Sequence, residues 1–325
     1  MHRRSFCLGT GAAAAGALLP LRARAQSWPA RPIRMIVPFP AGGGTDAISR
    51  QVAERITSAT GWSIVIENRA GAGGNIGLEA LAKAQPDGHT IGMGQAANLA
   101  INPSLYPKMP YDPLKDFALI SLVATQPLVA VVSIKSRHGS LAELVAAAKA
   151  KPSTVTIGHT GNGTVGHLAG EVFARQAGIK VLIVPYKGAA QVVTDILGGA
   201  VDLLFGNPLA VMPLASAGLL RPIAVTSLRR LPALPEVPTV EECGYQGFEA
   251  TNWSGLVAPA KTPDAIVARL NAEVGAALRQ PQMLEKLAID SSEPLPSSPE
   301  RFAEFLRAEH TKWGALIHEA GIKLE

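Results

Sequence analysis

The chain has 325 residues, of which 47 % are hydrophobic and 17 % charged, with 32 glycines, 25 prolines and 2 cysteines. Chains of this length usually fold around more than one hydrophobic core, which favours two domains. The apolar fraction excludes a disordered chain. The formal net charge is +5, but four arginines and no acidic residue fall within the first 25 positions.

Those first 25 residues have the pattern of an export signal. Arg3 and Arg4 precede a glycine- and alanine-rich apolar run over 8–21, and Ala23-Arg24-Ala25 forms a typical A-x-A cleavage site. The paired arginines and the weakly hydrophobic run favour the twin-arginine route. The run is too short to span a bilayer. We therefore predict cleavage after Ala25 and a periplasmic mature protein without stable membrane insertion.

Removal of this segment leaves a net charge of +5 − 4 = +1. No basic stripe with interleaved aromatic residues remains, which argues against nucleic acid as a partner. Cys7 leaves with the signal, so Cys243 can form neither an intramolecular disulfide nor a cysteine-based zinc site. The longest later apolar stretch, 118–134, is interrupted by polar residues and Pro127, and it predicts two buried strands.

The rest of the chain alternates short β-branched runs with helical patterns, which indicates an α/β fold built from βαβ units. Strands are predicted over 33–38, 63–67, 90–94, 128–134, 154–158, 181–185, 201–205, 223–226 and 253–258. Helices are predicted over 45–59, 75–84, 140–150, 164–177, 189–197 and 209–217, and from Pro263, Pro281 and Pro299 onward.

Two successive α/β blocks followed by a helical tail predict two mainly parallel sheets, with the tail returning to the first. We expect a first lobe of residues 26–125 and 250–325, and an inserted second lobe of residues 126–249. The chain would cross between the lobes near Thr125 and near Asn252, and these crossings would form a hinge beside a ligand cleft.

Four turns after predicted strands could bind a ligand, because ligands of open parallel sheets lie beyond the carboxyl ends of the strands. In the first turn, glycines leave backbone N–H groups bare at a helix start, which is an anion site. The helix start carries Thr45 as a cap or hydroxyl donor, and Asp46 is more typical of a helix-dipole partner than of a catalytic acid. The candidate residues of this turn are Phe39, Ala41, Gly42, Gly43, Gly44, Thr45 and Asp46.

The second turn lies in the other block, and residues 161–166 match the pattern G-x-G-x-x-G of dinucleotide-binding turns. That function requires an acidic residue at the end of the next strand, where residues 184–187 contain none. Capture of a carboxylate by backbone N–H groups is therefore the better interpretation. The candidate residues are Thr160, Gly161, Asn162, Gly163, Thr164 and His167.

The third and fourth turns supply polar side chains. Lys187 could meet an anion directly or be a solvated lysine at a domain rim, and Tyr186 precedes it. Gln95 and Asn98 follow the third predicted strand, and Asn207 follows the strand over 201–205. We expect valine at Gly43 or at Gly163 to weaken binding and to affect the melting temperature less than a substitution in the core would.

Enzyme signatures are largely missing: the sequence has no G-x-S-x-G elbow, H-E-x-x-H motif or P-loop. His167 and Glu171 have the i, i+4 spacing of two metal ligands, but no third ligand follows at a readable spacing, so a capping or solvated pair is favoured. We predict no cofactor and no metal.

Several segments together, in order, give the chain a specific resemblance. They are Trp28-Pro29 with Arg31-Pro32-Ile33, VPFPAGGGTD (37–46), ENRAGAGGNIG (67–77), INPSLY with MPYDPLKDF (101–117), GNGTVGHLAGE (161–171), VPYKG (184–188), LPEVPTVEECG (234–244) and AGIKLE (320–325). With these, the mature chain resembles the Bug family, the extracytoplasmic solute-binding components of tripartite tricarboxylate transporters.

The resemblance implies a two-lobed, type II periplasmic-binding-protein fold with a Venus-flytrap motion, which delivers an organic acid to a membrane permease. In the family, the loops that correspond to 39–46 and 160–164 grip the ligand carboxylate, partly through water. Members often have proline where Ala41 stands and aspartate where Gly206 stands. Because an acid there would favour ligands with a donor group, Gly206 leaves open whether a group such as an amine is recognised.

Three functions remain open at this stage. The favoured one is a monomeric, non-enzymatic carboxylate-binding protein that serves a permease. The second is a periplasmic sensor protein whose closed form is read by a membrane receptor. The third is an exported hydrolase with an unrecognised site, for instance one that pairs Thr164 with His167 as nucleophile and base.

Overall fold

The computed structural model describes residues 28–289 and 291–322. The predicted signal and its cleavage site lie outside the described residues, so export remains a prediction.

The regular structure in this part of the chain consists of two sheets, ten α-helices, a 3-10 helix (Ala72–Gly74) and a π-helix (Ala97–Ile101). The strands are β1 (Ile33–Val37), β2 (Ile64–Asn68), β3 (Thr90–Gln95), β4 (Phe117–Pro127), β5 (Val129–Ser133), β6 (Thr156–His159), β7 (Leu182–Pro185), β8 (Leu203–Gly206), β9 (Leu220–Val225), β10 (Thr251–Pro259) and β11 (Glu293–Pro294). The helices are α1 (Gly44–Thr60), α2 (Asn75–Ala82), α3 (Asn102–Leu105), α4 (Leu141–Ala150), α5 (Val165–Gln176), α6 (Ala189–Gly198), α7 (Pro208–Ser216), α8 (Asp264–Leu278), α9 (Pro281–Ile289) and α10 (Pro299–Ala320).

The first sheet has six strands in the order β11-β4-β10-β3-β1-β2. β1 lies parallel to β2 and β3, whereas β10 runs antiparallel between β3 and β4. β3 is buried along its whole length, as expected for a strand covered by helices on both faces. The buried side chains of α1, α8 and α9 pack on one face of this sheet in a single apolar core.

The second sheet has five strands in the order β7-β6-β8-β5-β9. β6 lies parallel to β7 and β8, and β5 runs antiparallel to β8 and β9. In each sheet, four strands therefore run in one direction, and one antiparallel strand, β10 or β5, is inserted at the same place in the order. The short edge strand β11 of the first sheet is also antiparallel to its neighbour β4. The predicted α/β class with two mainly parallel sheets is confirmed, and both sheets are mixed.

The chain crosses between the sheets twice, and both crossings meet at one residue. β4 stays in the first sheet to Pro127, two residues beyond the predicted boundary, and β5 begins in the second sheet at Val129. The chain returns to the first sheet between Ala250 and the start of β10 at Thr251. Thr226 follows β9, is fully buried, and hydrogen-bonds to both Leu128 and Ala250. We propose this point as the hinge between lobes of residues 26–125 with 250–325 and of residues 126–249.

The C-terminal helices pack against strands of the first sheet. On α10, Glu309 accepts hydrogen bonds from the indole N–H of Trp253 on β10 and of Trp313, both at 2.8 Å. Trp253 and Trp313 are each 1 % exposed. This buried carboxylate with two donors fixes the tail to the first lobe.

Candidate functional site

A cavity of about 520 Å³ lies between the two sheets and is lined by residues from both. The residues that line it stand at the ends of β1, β3, β6, β7 and β8 and at the starts of α1, α5, α6 and α7. Four helix N-termini therefore meet one cavity, and each contributes a partial positive charge. The start of α7 adds no free N–H group, because Pro208 has none and the next three N–H groups donate to Asn207.

The structure brings most of the sequence-predicted site residues together at this cavity. Those that line it are Phe39, Ala41, Gly42, Gly43, Gly44, Thr45, Gln95, Thr160, Thr164, Lys187 and Asn207. Those that do not line it are Asp46, Asn98, Gly161, Asn162, Gly163, His167 and Tyr186. A part in ligand binding stays a prediction for all of these residues. For those that do not line the cavity, the contacts described below show what each residue does in the structure.

Asp46 organises the first loop. Its Oδ2 accepts the Gly42 N–H and the Arg50 Nε–H, both at 2.9 Å, and its Oδ1 accepts the Asn68 amide at 2.9 Å. Burial raises the pKa of the Asp46 carboxyl, but the hydrogen bonds from Arg50, Gly42 and Asn68 outweigh burial and lower the pKa below its ordinary value. The carboxylate is thus fully engaged with the loop and turned away from the cavity.

The start of α1 offers bare backbone donors. Gly43 is the N-cap residue and provides no side-chain cap. Within the described residues, the N–H groups of Gly43, Gly44 and Thr45 donate to no partner. Because no side chain covers them, these N–H groups can face an anion directly.

Gln95 adds a side-chain donor beside this helix start. Its Oε1 accepts the Thr45 hydroxyl at 2.8 Å and the Asn252 amide at 3.2 Å. Both bonds fix the orientation of the amide, and its Nε2 donates to none of the described residues. Gln95 is only 6 % exposed and lines the cavity, so its amide N–H groups are available to an acceptor in the cavity.

The second loop differs from its prediction, because its own histidines satisfy its backbone. The Gly161 N–H donates to His159 Nδ1 and the Gly163 N–H donates to His167 Nδ1, both at 3.3 Å. Thr164 Oγ1 donates to the Gly161 carbonyl at 2.7 Å and accepts the His167 N–H at 3.3 Å. The glycine N–H groups of this loop are therefore not bare.

The donors that this loop presents to the cavity lie one step further along the chain, at the start of α5. Val165 and Gly166 line the cavity, and their N–H groups have no partner within the described part of the chain. The N–H groups without a partner on this side of the cavity thus belong to the first turn of the helix and not to Gly161 and Gly163, and anion binding by the second loop stays a prediction.

The rings of His159 and His167 lie against each other beneath the second loop, at an interplanar angle of 32°. Their ring centroids are 4.4 Å apart, and the residues are 1 % and 6 % exposed. Burial and then the neighbouring His167 lower the pKa of His159 to about 4. Glu171 Oε1 lies 3.7 Å from His167 Nε2. With its Nδ1 used as an acceptor and its pKa lowered, the His159 ring serves the loop in its neutral form.

The tip of the second loop touches the first lobe outside the cavity. A Cβ atom built on Gly73 would lie 3.3 Å from the Asn162 carbonyl oxygen, and one built on Gly163 would lie 3.3 Å from Leu105 and would clash with the amide of Asn102. Gly163 also has a φ of +76°. Asn162 and Gly163 therefore contribute a contact between the lobes.

The remaining predicted residues have separate roles. The Tyr186 hydroxyl donates to Asp195 at 2.6 Å, and this hydrogen bond raises the pKa of Tyr186 to about 12. Asn98 is fully buried and its Oδ1 accepts the Gln95 N–H at 3.0 Å. Asn207 caps α7 through the Leu209 N–H, at 3.0 Å. Only Asn207 of these three lines the cavity.

Sequence reasoning missed several lining residues. They are Pro40, Leu128, Val165, Gly166, Gly188, Ala189, Ala190, Gln191, Leu204, Phe205, Gly206, Leu209, Ala210 and Asn252. Extending the search from each strand end into the first helical turn would have found the residues of α5, α6 and α7. Leu128 and Asn252 reach the cavity through the chain crossings, and no local motif marks them.

The described residues contain no group of three or more histidine, cysteine, aspartate or glutamate side chains arranged to hold a metal ion. None of the helices in that part of the chain combines the length and the hydrophobicity that a membrane crossing requires.

Comparison with known proteins agrees with this two-lobed architecture. The sequence profile of the tripartite tricarboxylate transporter family receptor matches residues 48–322. Protein BugT of Bordetella pertussis is 37 % identical over 326 residues, which cover 100 % of this chain and 99 % of BugT.

Two solved structures have the same fold. The periplasmic binding protein BugD has a TM-score of 0.85 and 34 % identity, over 92 % of this chain and 100 % of its own. The R. palustris protein Rpa4515, determined with adipate, has a TM-score of 0.87 and 36 % identity, over 91 % of this chain and 99 % of its own. The fold and cavity define a solute-binding protein with two lobes. The chain belongs to the tripartite tricarboxylate transporter receptor family, which includes the Bug proteins.

Proposed function

We propose that this chain is an extracytoplasmic solute-binding protein that captures a small organic acid between its lobes and delivers it to a membrane permease of the tripartite tricarboxylate transporter type. One observation carries the proposal. The bare N–H groups at the start of α1 and the unpaired amide of Gln95 converge on a cavity that contains no acidic side chain among the described residues.

Each part of this arrangement favours an anion. Hydrogen bonds to a charged acceptor contribute about 1.5–3 kcal/mol each, and a helix N-terminus adds about 0.3–1 kcal/mol. Three or four such contacts, less the cost of association, reach the roughly −8 kcal/mol of micromolar binding. The relative Rpa4515, whose structure was determined with adipate, supports a carboxylate as the anion.

A thermal-shift and calorimetric screen of the mature protein, residues 26–325, tests this proposal. We expect adipate or another small carboxylate to raise the melting temperature and to bind with micromolar affinity. Indifference to a broad panel of mono-, di- and tricarboxylates would contradict the proposal. Uptake of the bound acid by cells, measured with and without the chain and its permease, distinguishes transport from sensing. A sensor would keep its signalling output when the permease is deleted.

The hydrolase alternative lacks a pairing of nucleophile and base. The Thr164 hydroxyl donates to the Gly161 carbonyl, and its only contact with His167 is with the backbone N–H of that residue. His167 Nδ1 accepts the Gly163 N–H instead. A base must reach the proton of its nucleophile, so this arrangement favours a structural role for both residues.

A further inference from the structure

The second sheet has one end at the cavity and one end that faces away from it. The carboxyl ends of β6, β7 and β8 lead into the cavity, so the first residues of these strands lie at the other end. β5 runs antiparallel to β8 and β9, which brings the end of β5 and the start of β9 to that same end. We call this end of the second lobe the distal pole. It consists of residues 134–143, 149–155, 175–182, 198–203 and 217–221.

The distal pole concentrates positive charge. Its basic residues are Lys135, Arg137, Lys149, Lys151, Arg175, Lys180 and Arg221, and its acidic residues are Glu143 and Asp202. The formal charge of the pole is therefore +7 − 2 = +5, whereas the predicted mature chain as a whole carries +1. Both acids serve the backbone: Glu143 accepts the Gly139 N–H at 2.6 Å, and Asp202 accepts the Thr156 N–H at 2.9 Å.

The basic side chains of the pole are unpaired. None of the seven forms an ion pair within the described part of the chain, whereas most basic residues of the first lobe do, as Arg50 does with Asp46. Two of the seven lie in the last turns of α4 and α5, where a helix dipole favours a cation. Lys135, Lys151 and Lys180 are exposed and lie outside the helices, so helix dipoles do not account for them.

Exposed aliphatic side chains lie among these lysines. Ile134, Leu182 and Leu219 are 41 %, 49 % and 43 % exposed. The Ile134 N–H donates to the Leu219 carbonyl at 3.0 Å, so these two residues are neighbours, and Leu182 follows Lys180 by two positions. One exposed leucine is ordinary on a protein surface. Three aliphatic side chains beside unpaired lysines at one end of one sheet combine the two features that bind a lipid–water interface.

Other polyanions fit this surface less well. Single-stranded nucleic acids stack their bases on aromatic side chains, and the exposed large apolar side chains of the pole are all aliphatic. An acidic protein is best held by the planar, bidentate guanidinium group of arginine. The three cations outside the helices noted above are lysines, whose flexible ammonium groups suit a fluid layer of phosphates while their stems cover apolar surface.

We propose that the distal pole binds the surface of a membrane that contains anionic phospholipids. The contact is peripheral, with lysines at the phosphates and aliphatic side chains between the headgroups, and it spans the five strand ends, about 19 Å. The cleft lies at the opposite end of β6, β7 and β8 and stays accessible to solute. This inference goes beyond the proposed function and does not depend on which acid is bound. It would keep the protein beside its permease.

Cosedimentation of the mature protein, residues 26–325, with lipid vesicles tests the inference. We expect binding to vesicles of equal parts phosphatidylglycerol and phosphatidylcholine, decreasing as salt is added, and no binding to pure phosphatidylcholine. Each basic residue near an anionic surface strengthens binding roughly fivefold. A triple variant of the pole should therefore bind at least tenfold more weakly, and a triple variant of exposed lysines in the first lobe, with the same change in net charge, should bind as the wild type does. These variants are Lys135→Gln/Lys151→Gln/Lys180→Gln and, as the matched control, Lys83→Gln/Lys108→Gln/Lys115→Gln.

The aliphatic part of the surface has its own variant. Ile134→Ser/Leu219→Ser keeps every charge and should weaken binding to the mixed vesicles several-fold, including at salt concentrations that screen the lysines. Unchanged binding in this variant would overturn the role of the aliphatic side chains.

The other failures are distinguishable as well. Equal losses in the two triple variants would show that net charge, and not the pole, determines binding, and would overturn the assignment. Failure of the wild type to bind the mixed vesicles would overturn the membrane as the partner and favour an acidic protein. Adipate affinity should be the same in the wild type and in all variants, because none of the substituted residues lines the cavity. A negative vesicle result therefore leaves the proposed function intact. Circular dichroism of each variant checks that the fold is retained.

Discussion

Thr226 and Leu128 are joined by two reciprocal hydrogen bonds at the point where the chain crosses between the sheets. The Thr226 N–H donates to the Leu128 carbonyl at 2.9 Å, and the Leu128 N–H donates to the Thr226 hydroxyl at 2.8 Å. The same hydroxyl donates to the Ala250 carbonyl at 2.7 Å. One buried side chain thus links the outgoing and the returning segment, and both lobes depend on it for their relative position.

Replacement of Thr226 by valine tests this link. Valine fills the same volume but leaves the Leu128 N–H and the Ala250 carbonyl without their hydroxyl partner, and each unsatisfied buried group costs about 1–3 kcal/mol. We expect the free energy of unfolding to fall by roughly 2–4 kcal/mol, measured by urea denaturation. Thr226→Ser retains the hydroxyl and should lose much less. Equal stability of the valine variant and the wild type would show that the link contributes little.

Sequence reasoning predicted the first loop and its helix start because their chemistry is local. Glycines before Thr45 and a strand before them suffice to indicate bare N–H groups at the carboxyl end of a sheet. The second loop could not be predicted in the same way. Whether the Gly161 and Gly163 N–H groups are free depends on how His159 and His167 orient their rings, and that orientation follows from the tertiary contact between the two rings. Asn252 reaches the cavity only because the chain returns to the first sheet.

Sequence analysis predicts the same effect for substitutions at Gly43 and at Gly163, but the structure gives these two glycines different backbone conformations and surroundings. Gly43 has an extended conformation, with φ of −82°, and a built Cβ meets only the Pro40 carbonyl oxygen, at 3.5 Å. Gly43→Val should therefore keep the stability of the fold and weaken adipate binding by at least tenfold, because the side chain covers the bare N–H groups. Thermal unfolding and calorimetry measure the two effects separately. Unchanged affinity would exclude Gly43 from the binding site.

Gly163 combines a positive φ with the contact to Asn102, so any Cβ at this position is strained. We expect Gly163→Ala to lower the melting temperature by several degrees, corresponding to roughly 1–2 kcal/mol, and to weaken adipate binding through hindered approach of the lobes. Gly178→Ala is a control for backbone strain alone, since Gly178 also has a positive φ, +61°, but has open space around it. If both variants bind adipate equally well, the interlobe contact does not influence closure.

Gln95 provides a prediction on the charge of the binding site. Gln95→Glu keeps an acceptor for the Thr45 hydroxyl and the Asn252 amide but replaces the unpaired Nε2 donor by a carboxylate oxygen. At pH 8 we expect at least a tenfold loss of adipate affinity through repulsion, with partial recovery near pH 5 as the buried carboxyl is protonated. Gln246→Glu, which makes the same change at an exposed position away from the cavity, should bind as the wild type does. Wild-type affinity in Gln95→Glu at pH 8 would contradict an anion site here.

The histidine pair predicts a pH dependence of stability. The pKa of His159 is about 4 in the folded protein, below the ordinary value near 6.5, so the unfolded chain binds more protons between these two values. Stability is therefore complete above about pH 6.5 and declines as the pH falls toward 4, by about 3 kcal/mol if the whole difference is realised. His159→Asn retains an acceptor near the position of Nδ1 for the Gly161 N–H and cannot titrate, so it should flatten this part of the profile. The exposed His318→Asn should leave the profile unchanged, and an equally steep decline in His159→Asn would assign the effect to other groups.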